Sequence, residues 1–509
     1  MYPAQTSLIP VQIALARFLE SFDRFGKLTA SGLRINTLLG NYPYWYLGTT
    51  PYRYLTGPVL PLILVGLHKV FSFLSLFEIM FGVIGISWVM GGIGVYLLVR
   101  ELEGISGNSR EYKGERKISV LAVIAAVFYV FGPMVPFLFR FSDGLYLITF
   151  SLLPFTLLMY FRLLRRWERK TALFCTFLIT FLLLLDSLII PTLILGMAAV
   201  FLAQGSWKRT EEKLKQTFLI LAFSFLICTL WYTPGYWLTL LGAPSLAGKG
   251  LAGVIVWLGK LLPAALAFGI ALVSVKFFKK RHLPRDFCFY WLFIFGFISL
   301  LRFLSDPDFW LDWSVYGTEL QFGLAIAMGL IITQIAKVKA QNDNLKLKTF
   351  LLLGTLSAFY FLLFIFIFDD YVLGTLQSDI TQTVEYRTGK ELDARVKEQE
   401  SGRVKRVFLS GTTVFWLNAF FDIPQVRGGI DQASVDPRWR QAAWEIREGA
   451  SLEKSVQWLK MLKITYLVVH TQDSEEFYHD FAYPEKFEAA FGLEKIYDQE
   501  GDRIYQIEK

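Results

Sequence analysis

GNYPYWYLGTTPYRYLTGPVLP, residues 40–61, is crowded with Tyr, Trp, Pro and Gly, and its one formal charge is Arg53. Pro43, Pro51, Pro58 and Pro61 each remove a backbone donor and fix φ, so no continuous helix runs through it. Aromatic rings of this kind suit a membrane–water boundary, where one edge stays wet and the other does not. The stretch therefore reads as a loop folded on a membrane surface, just ahead of the first long apolar run. The plainer alternative is an aromatic belt beside a transmembrane helix.

The bulk composition agrees with a membrane setting. The 509 residues are 54% hydrophobic, 17% aromatic and 18% charged, with a mean hydropathy of +0.44. A soluble domain carries about a quarter charged residues, so this is the composition of a polytopic membrane protein. The formal net charge of +8 is spread over the ends of apolar runs and not gathered in one patch. That pattern excludes nucleic acid as an expected partner and fits a lipid bilayer. Cys175, Cys228 and Cys288 all fall in apolar runs, and His68, His282, His470 and His479 are scattered. No disulfide framework and no site of soft metal ligands is expected.

Taken in order, residues 9–25 place Ile13, Leu15, Leu19 and Phe22 at helical spacing among Arg17, Glu20, Asp23 and Arg24. This is an amphipathic helix too polar to span. Residues 59–76 are apolar but carry His68 and Lys69, which predicts a helix lying in the interface. About ten candidate spans follow, near 78–99, 118–138, 144–163, 170–186, 188–204, 216–233, 261–278, 286–304, 318–336 and 349–368. Basic clusters at 100–117, 162–170, 208–215, 276–285 and 337–348 fall in every second loop, so those loops are predicted to be cytoplasmic. The chain then divides into an extracytoplasmic first loop, 1–77, a helical bundle, 78–368, and an extracytoplasmic domain, 369–509. A first loop of that length on the outside predicts a further transmembrane helix upstream of Met1.

The last part changes character. Residues 381–403 read as a polar helix, 404–409 and 464–469 as buried strands, 451–462 as a helix, and the end as a hairpin turning near Glu500–Gly501. The sum is a small α/β domain. Residues 422–434, DIPQVRGGIDQAS, form a Gly-containing loop that reads best as a plain turn. His470 ends a strand and His479 falls in a predicted polar helix, so both read as solvated.

Charges beside hydrocarbon are costly and mark cavities or pathways. On the predicted outer face these are Arg140 and Asp143 in RFSDG, Asp186, Arg302, and the acidic loop SDPDFWLDWSVYGTEL with Asp306, Asp308, Asp312 and Glu319. Arg53, Lys249 and Lys260 add positive charge there. Asp143, Asp312 and Glu319 are candidate general bases, and such carboxylates also suit a divalent cation such as Mg2+ or Mn2+. Arg53, Arg140, Lys249 and Arg302 are candidate clamps for a lipid phosphate. Against this, Asp143 pairs readily with Arg140, Asp186 can cap a helix, and the acidic loop can be a solvated connector anchored by Trp310 and Trp313.

The stretches 42–61, RFSDG at 140–144, WYTPGY at 231–236, DFWLDWSVYGTELQFG at 308–323, IPQVRGGIDQAS at 423–434 and LKITYLVVH at 462–470 carry a family resemblance. The chain resembles the GT-C superfamily of integral-membrane glycosyltransferases, and within it the bacterial and archaeal membrane proteins labelled 6-pyruvoyl-tetrahydropterin synthase-related. The resemblance implies a polytopic α-helical fold with an outward C-terminal domain in the plasma membrane of a prokaryote. It also implies transfer of a sugar from a polyprenyl-phosphate donor to an extracytoplasmic acceptor. A catalytic acid is implied in the first outward loop, where this chain offers Glu20 and Asp23. Trp45 and Tyr52 would present flat faces to the sugar or the prenyl chain. Two other functions fit the same residues: a transporter or flippase of lipid-linked sugars, and a non-enzymatic envelope scaffold.

Overall fold

The structure, a computed structural model, describes residues 8–25, 42–49, 57–106, 118–141, 144–204, 210–234, 282–305, 313–338, 343–373, 379–398, 405–429, 436, 438–488 and 490–508. They fall into two units. One comprises Met1–Met80, Arg140–Asp143 and Leu373–Lys509, the other Phe81–Phe139 and Gly144–Val372.

The second unit is helical. Helix α3 (Leu76–Ser106) begins in the first unit and runs into the second. It is followed by α4 (Val120–Val130), α5 (Met134–Phe141), α6 (Gly144–Arg165), α7 (Arg169–Leu185), α8 (Ile190–Gln204), α9 (Thr210–Cys228), α10 (Leu283–Ser305), α11 (Trp313–Val338) and α12 (Asp343–Phe368). Six described segments are long and apolar enough to cross a membrane: 76–104, 120–139, 144–165, 187–204, 283–300 and 317–335. Helix α7, at 17 residues, falls on the expected span 170–186, while 261–278 lies outside the described residues. The expected span 118–138 falls on one of the six segments, 120–139, which is interrupted at Gly132–Pro133 because proline cannot continue the hydrogen-bonded ladder of the preceding turn. Rings fill the bundle core: Trp291 meets Phe322 edge-on at 4.7 Å and Phe295 at 4.6 Å.

The first unit holds α1 (Leu8–Phe25), α2 (Val59–Val70) and a mixed α/β domain. That domain is built from α13 (Val384–Glu398), β1 (Arg406–Phe408), α14 (Thr413–Phe420), α15 (Arg438–Arg447), α16 (Leu452–Met461), β2 (Ile464–His470), β3 (Leu493–Gln499) and β4 (Asp502–Ile507). Its sheet has the order β1-β2-β4-β3, parallel only between β1 and β2. Side chains alternate across β2. Tyr466 and Val468 join Leu392, Val414 and Leu417 on one face, while Leu467 and Val469 join Trp439, Ile446 and Leu459 on the other. A strand covered on both faces reads as a continuous apolar run, which ITYLVV is. The β3–β4 turn is made by Glu500 and Gly501, both at positive φ (52° and 83°), as a tight hairpin requires.

The aromatic stretch does not behave as a surface belt. Tyr42 and Thr49 exchange backbone hydrogen bonds of 2.6 and 2.9 Å, closing a tight loop. Tyr42, Trp45 and Tyr46 are fully buried in the core that also contains Val426, Trp439 and Tyr505. Gln425 donates its backbone N–H to the Tyr44 carbonyl at 2.8 Å, and the Tyr46 hydroxyl donates to the Gly428 carbonyl at 2.9 Å. A Cβ on Gly428 would stand 2.5 Å from Trp45 Cγ, so the Gly-Gly pair serves ring packing and is more than a turn. Burial of three rings stabilises by several kcal/mol, more than interfacial placement would return.

His470 is also placed differently from its reading as a solvated residue. It is buried, with Nδ1 2.8 Å from Asp502 Oδ1. His479 is exposed on a segment without regular secondary structure, its Nδ1 3.0 Å from the Thr471 carbonyl.

Candidate functional site

Helix α11 opens WSVYGTELQFG, and its polar residues Thr318, Glu319 and Gln321 all turn inward: none is more than 4% exposed. Glu319 Oε1 accepts a short hydrogen bond from the Tyr146 hydroxyl and one of 2.6 Å from Thr192 Oγ1. The two hydroxyl oxygens lie 3.0 Å apart. Both hydroxyls can donate to the carboxyl at once, each giving its single proton to Oε1. The Trp291 indole N–H donates to the Glu319 backbone carbonyl at 2.7 Å, which ties α10 to α11 at the same level. Four helices, α6, α8, α10 and α11, therefore meet on one residue. Among the described residues Glu319 Oε2 has no hydrogen-bond partner.

Gln321, two residues on, repairs the break between α4 and α5. Its Oε1 accepts from the Met134 N–H at 2.8 Å and its Nε2 donates to the Tyr129 carbonyl at 3.1 Å. Pro133 brings no N–H to the Tyr129 carbonyl, which the Gly132 N–H also reaches at 3.3 Å, and Gln321 supplies the acceptor for the Met134 N–H at the start of α5. Asp186 joins α7 to α8. One oxygen accepts the Leu188 N–H at 2.9 Å and caps a single tight turn at Ser187–Ile189, while the other has no partner among the described residues. Asp186 caps, as one reading of its sequence holds, yet it is fully buried. A carboxyl with half its hydrogen-bonding capacity unmet, enclosed in an apolar bundle, is expensive and is retained where a proton, a cation or a packing geometry needs it.

The remaining expected residues are placed as follows. Arg53, Tyr52, Asp143, Lys249, Lys260, Asp306, Asp308 and Asp312 lie outside the described residues. Asp23, Arg140 and Arg302 sit on α1, α5 and α10, and their side chains lie outside the described residues too. Trp45, expected to face a ligand, is instead enclosed, and its Nε1 donates to Asn418 Oδ1 at 3.0 Å. Its ring closes the core of the first unit and has no open face. Glu20, on the amphipathic helix, lies 2.6 Å from His68 Nδ1 on α2. Tyr146, Thr192, Gln321 and Trp291 went unread in the sequence because they carry no charge. The available signal was the crowding of Thr, Glu and Gln within an apolar run, TELQ.

Among the described residues no group of three or more His, Cys, Asp or Glu is placed to hold a metal ion. Glu319 Oε1 is taken by two hydroxyls and the residue is wholly enclosed, while Asp306, Asp308 and Asp312 of the acidic loop lie outside the described residues.

No family model matches the chain, and no curated protein matches it in sequence. Solved structures do. The oligosaccharyltransferase of Archaeoglobus fulgidus, crystallised with zinc and sulfate, superposes with a TM-score of 0.58 at 14% identity, over 99% of this chain and 70% of that one. The same archaeal enzyme, AglB, in complex with an inhibitory peptide and a dolichol-phosphate, gives 0.53 at 13% identity, over 98% and 70%. ArnT from Cupriavidus metallidurans gives 0.44 at 12% identity, over 97% and 92%. The chain thus shares the fold of that archaeal oligosaccharyltransferase along nearly its whole length, with a bundle of apolar helices long enough to cross a membrane and a small C-terminal sheet.

Proposed function

We propose that this chain is a membrane glycosyltransferase that moves a sugar from a polyprenyl-phosphate donor to an acceptor outside the cytoplasmic membrane, as a member of the pterin-synthase-related group of GT-C proteins. The observation that carries the reading is a fold shared along 98% of the chain with an archaeal oligosaccharyltransferase whose structure holds a dolichol-phosphate. In this reading the protein sits in the plasma membrane of a prokaryote with 1–77 and 369–509 outside.

The reaction breaks the bond between the sugar C1 and the phosphate oxygen and forms one between C1 and an acceptor hydroxyl. The acceptor proton passes to a carboxylate, for which Asp143, Asp312 and Asp23 are the candidates. The lipid phosphate leaves with its negative charge, which Arg53, Arg140, Lys249 and Arg302 are suited to stabilise. Glu319 is seven residues beyond Asp312 in the sequence and wholly enclosed. It is therefore assigned as a positioning residue that ties α6, α8 and α11 together.

The test is release of polyprenyl phosphate from labelled donors by the protein in lipid, repeated with Asp23→Asn, Asp143→Asn and Asp312→Asn and with a chelator. Loss of about a hundredfold or more in one variant marks the base. No release from any donor by the wild type contradicts the proposal. Transport of lipid-linked sugars is the second reading, favoured by the buried acids Glu319 and Asp186 within the bundle.

A further inference from the structure

In the α/β domain, β1 leads through Ser410–Gly411–Thr412 into α14. Gly411 has φ +72°, and a Cβ there would stand 2.2 Å from the Glu476 carboxyl carbon, so only glycine lets that acid approach. Glu476 and Asp480 belong to a strap, residues 471–483, that has no regular secondary structure and covers this loop. Asp480 Oδ2 takes a short bond from Ser410 Oγ, the Gly411 N–H at 3.3 Å and Arg447 at 2.7 Å, with Arg427 3.7 Å away. That acid is amply satisfied as an anion.

Glu476 is held differently. Its Oε1 accepts from the Thr412 N–H and lies 2.7 Å from Thr412 Oγ1. The same Oγ1 lies 2.7 Å from Glu385 Oε1 on α13. A hydroxyl has one proton to give, and an ionised carboxylate has none. Two carboxyl oxygens at hydrogen-bond distance from one hydroxyl therefore require a second proton within the trio. Burial points the same way: Glu385, Thr412 and Glu476 are 9%, 0% and 1% exposed, and Glu476 Oε2 has no partner among the described residues. Two bare negative charges in such a place are not sustained.

We propose that Glu476 carries a proton that it gives to Thr412 Oγ1, whose own proton goes to Glu385, and that this proton holds the 471–483 strap on the 410–413 loop. When the proton leaves, Glu476 becomes a buried anion beside Glu385 and the strap loosens. Besides Glu385, the titratable and charged groups near Glu476 among the described residues include Tyr478 of the same strap, which burial and the charges of Glu476 and Asp480 push up. His470, at the end of β2, pairs with Asp502 of β4, which also accepts from Ser474 Oγ at 2.5 Å. Arg447 and Arg427 are engaged by Asp480. Arg387 of α13 pairs with Glu475 and Glu500. Burial pushes the Glu476 carboxyl above its usual range, and Glu385 adds to the shift. The His470 charge and the Thr412 bonds work against it.

The experiment is hydrogen exchange of the full chain in lipid, corrected for intrinsic rates, from mildly acid to mildly alkaline pH, above the range in which Asp480 takes up a proton. The readout is peptides carrying the Ser474, Asp480 and Ala482 amides, which bond to Thr471, Tyr478 and Arg447 carbonyls. In the wild type, strap opening is expected to rise with pH, by at most about tenfold per pH unit for one proton. In Glu476→Gln, which mimics the protonated acid, the strap is expected to stay closed across the range. Glu385→Gln serves as the second variant and is expected to flatten the profile as well. A wild-type strap whose protection ignores pH overturns the proposal. So does a slope that survives in both variants, which would assign it to His470 and Asp502.

Discussion

Apolar side chains face opposite ways in the two units. Along α9 of the bundle, Phe218, Leu219, Phe223 and Leu226 are exposed, while along β2 of the α/β domain Leu467, Val468 and Val469 are fully buried. In water the second arrangement is the source of stability, at about 25 cal/mol per Å2 of apolar surface removed. In lipid the first costs nothing, because the solvent is as apolar as the side chain. The bundle must therefore take its specificity from contacts that lipid cannot supply, such as the Tyr146–Thr192–Glu319 triangle and the Gln321 bridge across the α4–α5 break. The acids differ in the same sense. Asp480 in the domain is surrounded by two arginines, a serine and a backbone amide, whereas Glu319 in the bundle takes its side-chain hydrogen bonds, among the described residues, from two hydroxyls.

The contrast can be broken most severely from the domain side. Trp45→Ala removes a fully buried indole and leaves the Asn418 oxygen with one donor fewer. It is expected to cost about 4 kcal/mol. The loss should show as faster hydrogen exchange in peptides from 405–508, with the bundle unchanged. An effect under about 1 kcal/mol would return the ring to the surface role first read for it.

Next comes the bundle's own anchor. Glu319→Ala strands the Tyr146 and Thr192 hydroxyls and is expected to cost about 3 kcal/mol, since bonds to a carboxyl are the stronger kind. Glu319→Gln keeps an acceptor at Oε1 and should cost about 1 kcal/mol or less. Thermal unfolding in detergent separates the two. Equal melting temperatures for both variants would show that the triangle contributes no specificity.

The smallest expected effect sharpens the comparison by pH. Burial raises the Asp480 carboxyl, but Ser410, Arg447 and Arg427 outweigh it and hold the group below the usual range. An acid lowered in the folded state stabilises above its unfolded value, and that contribution is lost as pH falls through the folded value. Glu476, raised, behaves oppositely: its contribution is present in acid and lost as pH rises. One strap thus carries both signs. Asp480→Asn should cost about 2 kcal/mol at neutral pH and remove part of the acid-side loss of stability. Unchanged acid sensitivity in that variant would contradict the assignment.

Much of this architecture was legible in the sequence. ITYLVV reads as a buried strand, 451–462 as a helix and Glu500–Gly501 as a turn, and each lies within a residue or so of the observed element. Such elements follow from local periodicity and turn chemistry. The burial of Tyr42–Tyr46 was not legible, since an amphipathic ring fits a membrane boundary and a protein core equally well until its partner, 425–428, is known. The same holds for His470, whose partner Asp502 is 32 residues away. Tyr146 and Thr192 stayed hidden because a hydroxyl in an apolar helix carries no mark until a carboxyl is set beside it. Glu319 was visible as an acid close to hydrocarbon, but not as the point where four helices meet.

The most direct measurement follows both the sugar and its lipid carrier in proteoliposomes supplied with a labelled polyprenyl-phosphate sugar. The account predicts cleavage, with label appearing on an acceptor while unsubstituted polyprenyl phosphate accumulates in equal amount. Intact donor redistributed between leaflets, with no free polyprenyl phosphate formed, would contradict it and establish transport in its place.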